Sequence, residues 1–545
     1  MDKEALGLAP FLKEVEEKID NLSKEEIKSI LLAKAKNLKP IERGGFLDEL
    51  SIKGEMEVKA DDTLLADIDD FVSRIEKEEY VEDWNDYDER VYGDESWAEE
   101  MDDFFDYADE LFLSGNFNLA ASSYRKLLKV LENEDKLPCD EYSPEEMLKT
   151  DINEAKTRYF RALYEITDKD KRARTIFEEM ENLRYIGSLT FNLKQLEDAL
   201  LFRPMDWNQF LIDLKGVLLK DILSKKENED YTKNFDILCE IIFSLEKEEG
   251  LAIFAKEYGN KFHKIYLVLI SKLQEAKRDK EVIGVYQQAL KVIPHKIPIR
   301  AEISDLATKS AEEIKDKELV FEMCKEAFFS SPNTERILIL RASAKDLGRL
   351  SVMEETIGFL ESHQGQKYFI HYPKKLLVQS YILTENYDKM WKVASKEEPL
   401  GWSWGDNSQA LAIPFLILSS VRGMSLRSNS VIRKIWEKVD DFGNKKEEEK
   451  LKDIIEKEIL TKEISKEERI SHIEWAKEAI EKRVDAIVLN KHRGSYDKAA
   501  LLLVGCVEAL NLLDRDTEAD SFLDKIKSRY NRHIAFQREI TELFK

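Results

Sequence analysis

The chain has few cysteines and no cysteine pair that could form a redox or zinc motif. Its four cysteines, Cys139, Cys239, Cys324 and Cys506, are far apart among 545 residues. No CxxC sequence occurs, and no histidine lies near a cysteine in zinc-finger spacing. A disulfide framework is therefore excluded, and we expect idle or buried thiols in a reducing compartment.

Glycine and proline are scarce as well, with 20 and 11 residues respectively. Alternating β-branched runs bounded by hairpin turns are hard to find. Charged residues make up 36% of the chain, and the Lys/Glu-rich stretches alternate with Leu and Ile at helical spacing. These features predict a nearly all-helical protein.

The chain also lacks an excess of basic residues, a secretory signal and a long apolar run. Its formal net charge is −25, which argues against direct contact with nucleic acid, because phosphate binding needs clustered Lys and Arg. The longest apolar run, 410–418, is too short to span a bilayer and contains Pro414. The N-terminal residues lack a basic segment followed by an apolar core. We therefore expect a cytoplasmic protein with no membrane partner.

Motifs for catalysis and for cofactor binding are missing too. None of GxSxG, GxxxxGK, GxGxxG or HExxH occurs, and none of the seven histidines stands in a recognisable nucleophile setting. The basic turn 491–495 could receive an anion, although a solvated loop between two helices is the favoured interpretation. The prediction is a non-enzyme with no catalytic, cofactor or metal residues. An enzyme of an unrecognised class is the alternative.

What the chain does contain is helix-turn-helix spacing between residues 103 and 131. Ala108 and Leu111 share one helical face, and Gly115 stands where a helix must end, because glycine adopts the left-handed conformation without strain. Small residues allow two helices to approach closely, and aromatic residues fill the gap beside them. The second helix of this pair carries Phe117, Ala120 and Tyr124.

Later stretches repeat parts of this pattern. Tyr286, Ala289 and Pro294 occupy aromatic, small and terminating-proline places, and Cys324, Ala327 and Pro332 repeat those offsets 38 residues later. A weaker trace runs from 381 to 394. This spacing resembles the tetratricopeptide repeat (TPR), which implies helical hairpins that stack and present a concave surface to partners. An irregular helical bundle is the alternative.

The predicted fold class is all-α, with TPR-like helical hairpins and a separate charged C-terminal helical region. Composition shifts suggest five segments: N-terminal helices, an acidic aromatic linker, the repeats, a junction loop broken by Gly and Pro, and the C-terminal region. Their predicted bounds are 1–78, 79–102, 103–395, 396–430 and 431–545. The linker is interpreted either as an arm for a basic partner or, preferably, as a surface loop packed on the first repeat.

The expected function is binding of other proteins, by a groove in which Tyr, Asn, Lys and Arg side chains hold an extended or helical segment. Size, helical character and the broken stretch 418–428 also resemble the helical protein encoded beside the CHAT-type peptidase of some type III CRISPR systems. That family is cut by the peptidase in antiviral defence, and its C-terminal part binds a sigma factor. The resemblance implies a regulator with Gly423, Met424 and Ser425 as the candidate cleavage junction. A general bacterial TPR-like scaffold unrelated to CRISPR is the alternative.

Overall fold

The structure is a computed structural model of the 545-residue chain. It describes twelve stretches of the backbone. These are residues 8–37, 64–85, 90–132, 136–139, 143–184, 186, 192–224, 232–295, 297–363, 374–402, 407–439 and 445–544.

Two compact units make up the chain, Met1–Phe254 and Ala255–Lys545. The first contains one pair of strands, and helices account for the rest of its regular structure in the described stretches. The last helix, α11, bends at Lys247, where φ is 56°, and it continues past the division between the units. The elements are α1 Leu8–Asp20, α2 Lys24–Asn37, α3 Leu64–Glu76, β1 Val81–Asn85, β2 Arg90–Gly93, α4 Ser96–Leu113, α5 Phe117–Val130, α6 Pro144–Met147, α7 Ile152–Ile166, α8 Lys169–Asn182, α9 Leu193–Asp198, α10 Trp207–Ser224 and α11 Thr232–Tyr258.

The second unit is helical throughout its described residues. A π-helical turn, Ile455–Ile459, follows α22, and a 3₁₀ turn, Arg493–Ser495, precedes α24. The helices are α12 Ile265–Glu275, α13 Asp279–Val292, α14 Ile299–Glu313, α15 Lys317–Ser330, α16 Thr334–Asp346, α17 Val352–Ser362, α18 Lys374–Leu383, α19 Tyr387–Ala394, α20 Gln409–Ser420, α21 Val431–Glu437, α22 Lys445–Ile454, α23 Lys466–Leu489, α24 Tyr496–Leu512, α25 Asp516–Arg529 and α26 Ile534–Leu543. None of the helices in the described stretches is both long and apolar enough to cross a membrane.

The all-α, hairpin-repeat prediction is confirmed. Helices α4 and α5 pack as an antiparallel hairpin, and so do α12 with α13, α14 with α15, and α18 with α19. Consecutive hairpins also pack on each other, since α13 contacts α14 and α15 contacts α16. Each hairpin thereby buries an apolar face that it could not bury alone.

Seven hairpin turns in the described chain share one backbone motif. A single residue with positive φ ends the first helix, and the next residue donates its N–H to the carbonyl five positions earlier, at 2.7 to 3.1 Å. This is the Schellman closure of a helix C-terminus. Only two of the seven turns use glycine. The positive-φ residues are Gly115, Lys277, Lys315, Gly348, Glu385, Lys491 and Asp514.

The same turn fixes which side chains enter the core. Four residues before the positive-φ residue and five residues after it, the side chains are buried in every hairpin, except that Val320 is only partly buried. The residues before the turn are Leu111, Leu273, Ala311, Ala344, Tyr381, Ile487 and Leu510. The residues after the turn are Ala120, Val282, Val320, Met353, Met390, Tyr496 and Ala519. Helix ends and core positions therefore keep one register from hairpin to hairpin.

Capping residues set the starts of several helices. Ser23 begins α2, since its amide donates to Glu26 Oε2 at 2.8 Å and its Oγ accepts from the Glu26 amide at 3.3 Å. The same box, in which two orphan backbone groups are satisfied reciprocally, starts α6 at Ser143 and α23 at Ser465.

The acidic aromatic stretch 79–102 differs from the loop expected there. It contains the antiparallel strands β1 and β2, with Val81 opposite Gly93 and Asn85 opposite Arg90, and then the first residues of α4. Trp97 is fully buried and donates Nε1–H to the carbonyl of Pro138 at 2.8 Å. The aromatic side chain that stood out in an acidic sequence is therefore part of the core.

The stretch 396–430 also differs from the junction loop that its glycines and proline suggested. It contains α20, in which Pro414 lies inside the helix and eleven of twelve residues are buried. A helix that is covered by protein on all sides needs no polar face. Its sequence therefore lacks the alternation of apolar and polar faces by which amphipathic helices are recognised.

The C-terminal helices share a core with the helices before them. One continuous cluster of buried side chains runs from Phe321 to Ile540. Within it α20 packs on α23, and α22 packs on α16. The charged C-terminal region, predicted to be separate, therefore buries Ile435 and Ile455 in this cluster. The division between compact units falls at 254/255, inside the segment predicted as one repeat array.

Candidate functional site

The repeat-signature residues build the hairpins and offer little surface to a partner. Seven of them are 4% exposed or less: Ala108, Leu111, Ala120, Tyr124, Tyr286, Ala289 and Ala327. Phe117 and Pro332 are half-buried, and Gly115 and Pro294 are exposed at the ends of hairpins. Binding must therefore use other residues.

A buried tyrosine fastens the first hairpin to the next helix. The Tyr124 hydroxyl donates to Asp109, and the same carboxylate pairs with Arg158 of α7. Burial first, and then the negative charge of Asp109, raise the pKa of Tyr124 well above its ordinary value. The hydroxyl therefore stays a neutral donor, with a structural role.

Two arginines join successive hairpins in the second unit, and neither was predicted from the sequence. Arg300 donates Nη1–H to the carbonyl of Leu290 at 2.8 Å and pairs through Nε with Glu326 at 2.6 Å. Arg336 donates Nη1–H to the carbonyl of Ser331 at 2.7 Å and pairs with Asp305. Each arginine satisfies carbonyls at the end of one helix from the first turn of the next. An arginine four to six residues after Pro294 and Pro332 was the available signal.

A loop in the first unit, residues 199–206, holds apolar side chains in solvent. Leu201 and Met205 are each 72% exposed and Phe202 is 53% exposed. Isolated exposed apolar residues are ordinary, but three within five positions on one ordered loop are not. We refer to Leu201, Phe202 and Met205 as the apolar loop residues.

A buried arginine fixes the backbone of this loop. Arg161 of α7 is fully buried, and its Nη2 donates to the carbonyl of Phe202 at 2.7 Å. Its Nη1 donates to the carbonyls of Leu196 and Glu197 at 3.1 and 3.0 Å. These three hydrogen bonds from one buried side chain anchor the backbone of the loop.

A second anchor lies at the other end of the loop. The Tyr164 hydroxyl donates to the carbonyl of Met205. Pro204 and Trp207 are buried, and the rings of Tyr164 and Trp207 lie 5.8 Å apart. The segment 202–207 is therefore an ordered break between helices with a buried tryptophan. The neighbouring apolar side chains are exposed, although the Phe202 ring also lies against the Arg161 guanidinium, whose carbon is 5.2 Å from the ring centre.

Ser419 and His472 form a buried serine–histidine pair, which sequence spacing did not reveal. His472 Nδ1 and Ser419 Oγ are 3.1 Å apart, and Ser419 also accepts a hydrogen bond from Arg422 Nη2 at 2.7 Å. Both side chains are buried, to 1% and 0% exposure. Burial, together with the charge of Arg422, lowers the pKa of His472 to about 4. The imidazole is therefore neutral and sealed from substrate, which is the behaviour of a core hydrogen bond.

The residues 423–425 form an exposed turn between α20 and α21. Gly423 has φ of 81° and Met424 donates its N–H to the carbonyl of Val421 at 3.0 Å. Gly423 and Ser425 are exposed, whereas Met424 is half-buried against the core. In the described part of the chain, no group of three or more His, Cys, Asp or Glu side chains is arranged to hold a metal ion.

Comparisons with known proteins return helical structures of low similarity. No family model matches the chain, and no curated protein matches it. The human IFIT1 dimer with m7Gppp-AAAA is 12% identical, with 86% of this chain and 95% of that chain covered and a TM-score of 0.20. A circular tandem repeat protein with novel repeat topology is 14% identical, with 88% and 97% covered and a TM-score of 0.16. At such TM-scores neither likeness bears on function, and the fold assignment rests on the hairpins themselves.

Proposed function

We propose that this chain is a non-catalytic helical-repeat scaffold that binds a segment of another protein through the 199–206 loop. The single observation that supports this proposal is the exposure of the apolar loop residues on a backbone that Arg161 and Tyr164 anchor by hydrogen bonds. A preordered apolar loop loses little conformational entropy on binding, so more of the burial energy becomes affinity.

The partner segment is proposed to present apolar side chains flanked by lysine or arginine. Apolar groups complement Leu201, Phe202 and Met205, and basic flanks complement a chain with a net charge of −25. Charge complementarity of this kind raises the association rate and disfavours acidic competitors.

The test compares two triple variants by affinity capture from the native host and quantitative mass spectrometry, after nuclease treatment. L201S/F202S/M205S removes the apolar loop residues while keeping the carbonyls that Arg161 and Tyr164 bind. L113S/L489S/I534S is the matched control, because its residues are 56%, 64% and 73% exposed but scattered. A partner is then purified and titrated against each variant.

The proposal predicts a partner that the control retains and that the loop variant binds at least about tenfold more weakly, as expected when a buried apolar anchor is lost. Equal binding by both variants would exclude the loop. Capture that depends wholly on nucleic acid would exclude a protein partner.

A narrower proposal follows from the resemblance to the CHAT-peptidase substrate family: a CRISPR-associated regulator, cut near Met424, whose C-terminal part binds a sigma factor. The exposed turn at Gly423 and Ser425 supports it, because proteases need accessible backbone. The helices on either side, α20 and α21, pack on each other. Cutting the turn would therefore leave both fragments associated until a further step separates them.

Incubation with a CHAT-type peptidase tests this narrower proposal. Two fragments that divide within 423–425 are expected, together with loss of the cut in G423A/M424D/S425D. The control is H492D/R493D, which alters another exposed turn and should still be cut. An intact chain, or cleavage unaffected by the first variant, would leave the general scaffold as the function.

A further inference from the structure

A cavity of about 280 Å³ lies inside the second unit, among α20, α21, α23 and α24. Its walls are mainly apolar, and its charged lining residues are all basic. The lining residues are Trp402, Ala410, Pro414, Ile435, Lys438, Val439, Arg483, Lys498, Leu501 and Leu502. The volume is at the small end of the range for ligand sites, which begins at roughly 300 Å³.

Arg483 is the unusual member of this set. It is only 5% exposed, and its guanidinium lies 3.7 Å from the centre of the Trp402 ring. Its Nη1 donates to the carbonyl of Pro399 at 2.7 Å. Its Nε is buried and has no hydrogen-bond acceptor among the described residues. A buried guanidinium with an unused donor is costly, because desolvation is not repaid by a hydrogen bond.

Among the described residues, Arg483 also has no counter-ion. No acidic side chain is among the cavity-lining residues in the described stretches, and Arg483 forms no ion pair there. Burial lowers the pKa of Arg483 to about 9. The guanidinium therefore stays charged at neutral pH, although burying this charge destabilises the folded state.

Two lysines and an indole add to the same donor set. Lys438 is exposed and Lys498 is half-buried, and both line the cavity. Trp402 Nε1 is buried and has no hydrogen-bond acceptor among the described residues. The chain has a net charge of −25, yet three cationic side chains line this one apolar cavity. The local charge around the cavity is therefore positive.

We propose that this cavity binds a compact amphipathic carboxylate. Its carboxylate would pair with the Arg483 guanidinium, and its apolar body would lie against Ile435, Leu501 and Leu502. A planar guanidinium is suited to binding the two oxygens of a carboxylate. The lysines attract the anion and neutralise it as it enters.

The test is calorimetric titration of the full-length protein with sodium octanoate, with 1-octanol and octylamine as neutral and cationic ligands of the same chain length. Octanoate is expected to bind with a stoichiometry of one and to raise the melting temperature. Octanol and octylamine are expected to bind at least about tenfold more weakly, since a hydrogen bond to a charged group is lost.

Three variants assign the site. R483M is expected to weaken octanoate binding at least about tenfold, and K438M/K498M to weaken it several-fold and to reduce its dependence on salt. K434M is the matched control, because Lys434 is exposed on α21 but does not line the cavity; it should bind as the unmodified chain does.

Several results would overturn the proposal. These are no octanoate binding by the unmodified chain, equal binding of octanoate and octanol, or equal effects of K438M/K498M and K434M. If R483M does not fold, as judged by circular dichroism, the lysine pair and its control still decide the question.

Discussion

The hairpin α4–α5 in the first unit and the hairpin α24–α25 in the second have the same construction but very different sequences. Their helices contain 18 and 14 residues in the first case and 17 and 14 in the second. Both turns close by an N–H bond to the carbonyl five residues earlier, from Asn116 at 2.9 Å and from Arg515 at 3.0 Å. Only the first turn has a glycine at the left-handed position, whereas the second has Asp514.

This difference shows what specifies a hairpin in this chain. The common feature is a pair of buried positions, four residues before and five residues after the turn residue, with backbone hydrogen bonds that satisfy the helix end between them. Glycine only reduces the strain of the turn. A search for glycine in the sequence finds the first hairpin and overlooks the last. Both hairpins nevertheless need the same turn to bring their buried positions into the core.

The largest expected effect comes from the buried position before the turn. L111A and L510A should each destabilise their hairpin by about 2 to 5 kcal/mol, because both remove a fully buried leucine side chain. Protection against hydrogen exchange at 117–130 and 516–529 measures the loss in each unit separately.

The control for that prediction is L113A, since Leu113 is 56% exposed. It should change protection by less than about 0.5 kcal/mol. If L510A were as mild as L113A, the two hairpins would not share a construction.

Substitution at the turn residue should have opposite signs in the two hairpins. G115A should destabilise by about 1 kcal/mol, since φ is 86° and an alanine is strained there although no atom lies within 4 Å of the new Cβ. D514G should stabilise by up to about 1 kcal/mol, because it relieves the same strain at φ of 58°. Urea unfolding monitored by exchange in each hairpin provides both values.

G284A is the matched control for the glycine change. Gly284 lies within α13 with open space around its Cβ position, so alanine should stabilise that helix by roughly 0.5 to 1 kcal/mol. A loss of stability in G284A like that in G115A would mean that backbone conformation is not the cause.

The smallest expected effect is electrostatic and concerns the last hairpin. Glu481 of α23 pairs with Lys525 and Arg529 of α25, each at 2.7 Å. Burial alone would raise the pKa of Glu481, but hydrogen bonds from Lys525 and Arg529 outweigh it and hold the pKa below its ordinary value.

The depressed pKa of Glu481 sets the sign of the pH dependence. A carboxylate with a lower pKa in the folded state stabilises that state above its ordinary pKa, and the contribution disappears as pH falls through the folded value. Protection of α25, corrected for intrinsic exchange, should weaken on acidification below about pH 4.5 by less than about 1 kcal/mol. In E481Q this part of the acid dependence should be absent, and an unchanged pH profile would contradict the assignment.

The fold was predictable where local sequence reports local structure. Gly115 and the spacing of Ala108, Ala120 and Tyr124 identified the first hairpin because each residue acts within its own turn. The prediction failed to find α20, whose burial on all sides comes from helices distant in sequence, so its run of apolar residues has no helical period. The two strands in the acidic stretch were not predicted either, because strands of five and four residues are too short to show a clear alternating pattern.

The candidate sites were less accessible from sequence than the fold. Pro204 marks an interruption of the helical pattern, but no pattern shows that Arg161, 41 residues before Phe202, binds the backbone of the loop. The cavity joins Trp402 with Arg483 and Lys498, residues that nothing in the sequence connects. Residue type and spacing in the sequence identify single residues. A site depends instead on which residues lie close together in the folded chain.

The sequence by itself determined that this protein is helical, acidic and built of hairpins, because helical periodicity, net charge and turn residues are properties of neighbouring positions. Only the tertiary structure decided which apolar side chains remain exposed at 201–205 and which cation is enclosed at Arg483. Exposure and the loss of solvent depend on packing between distant segments, and that packing balances large opposing energies that no short stretch of sequence contains.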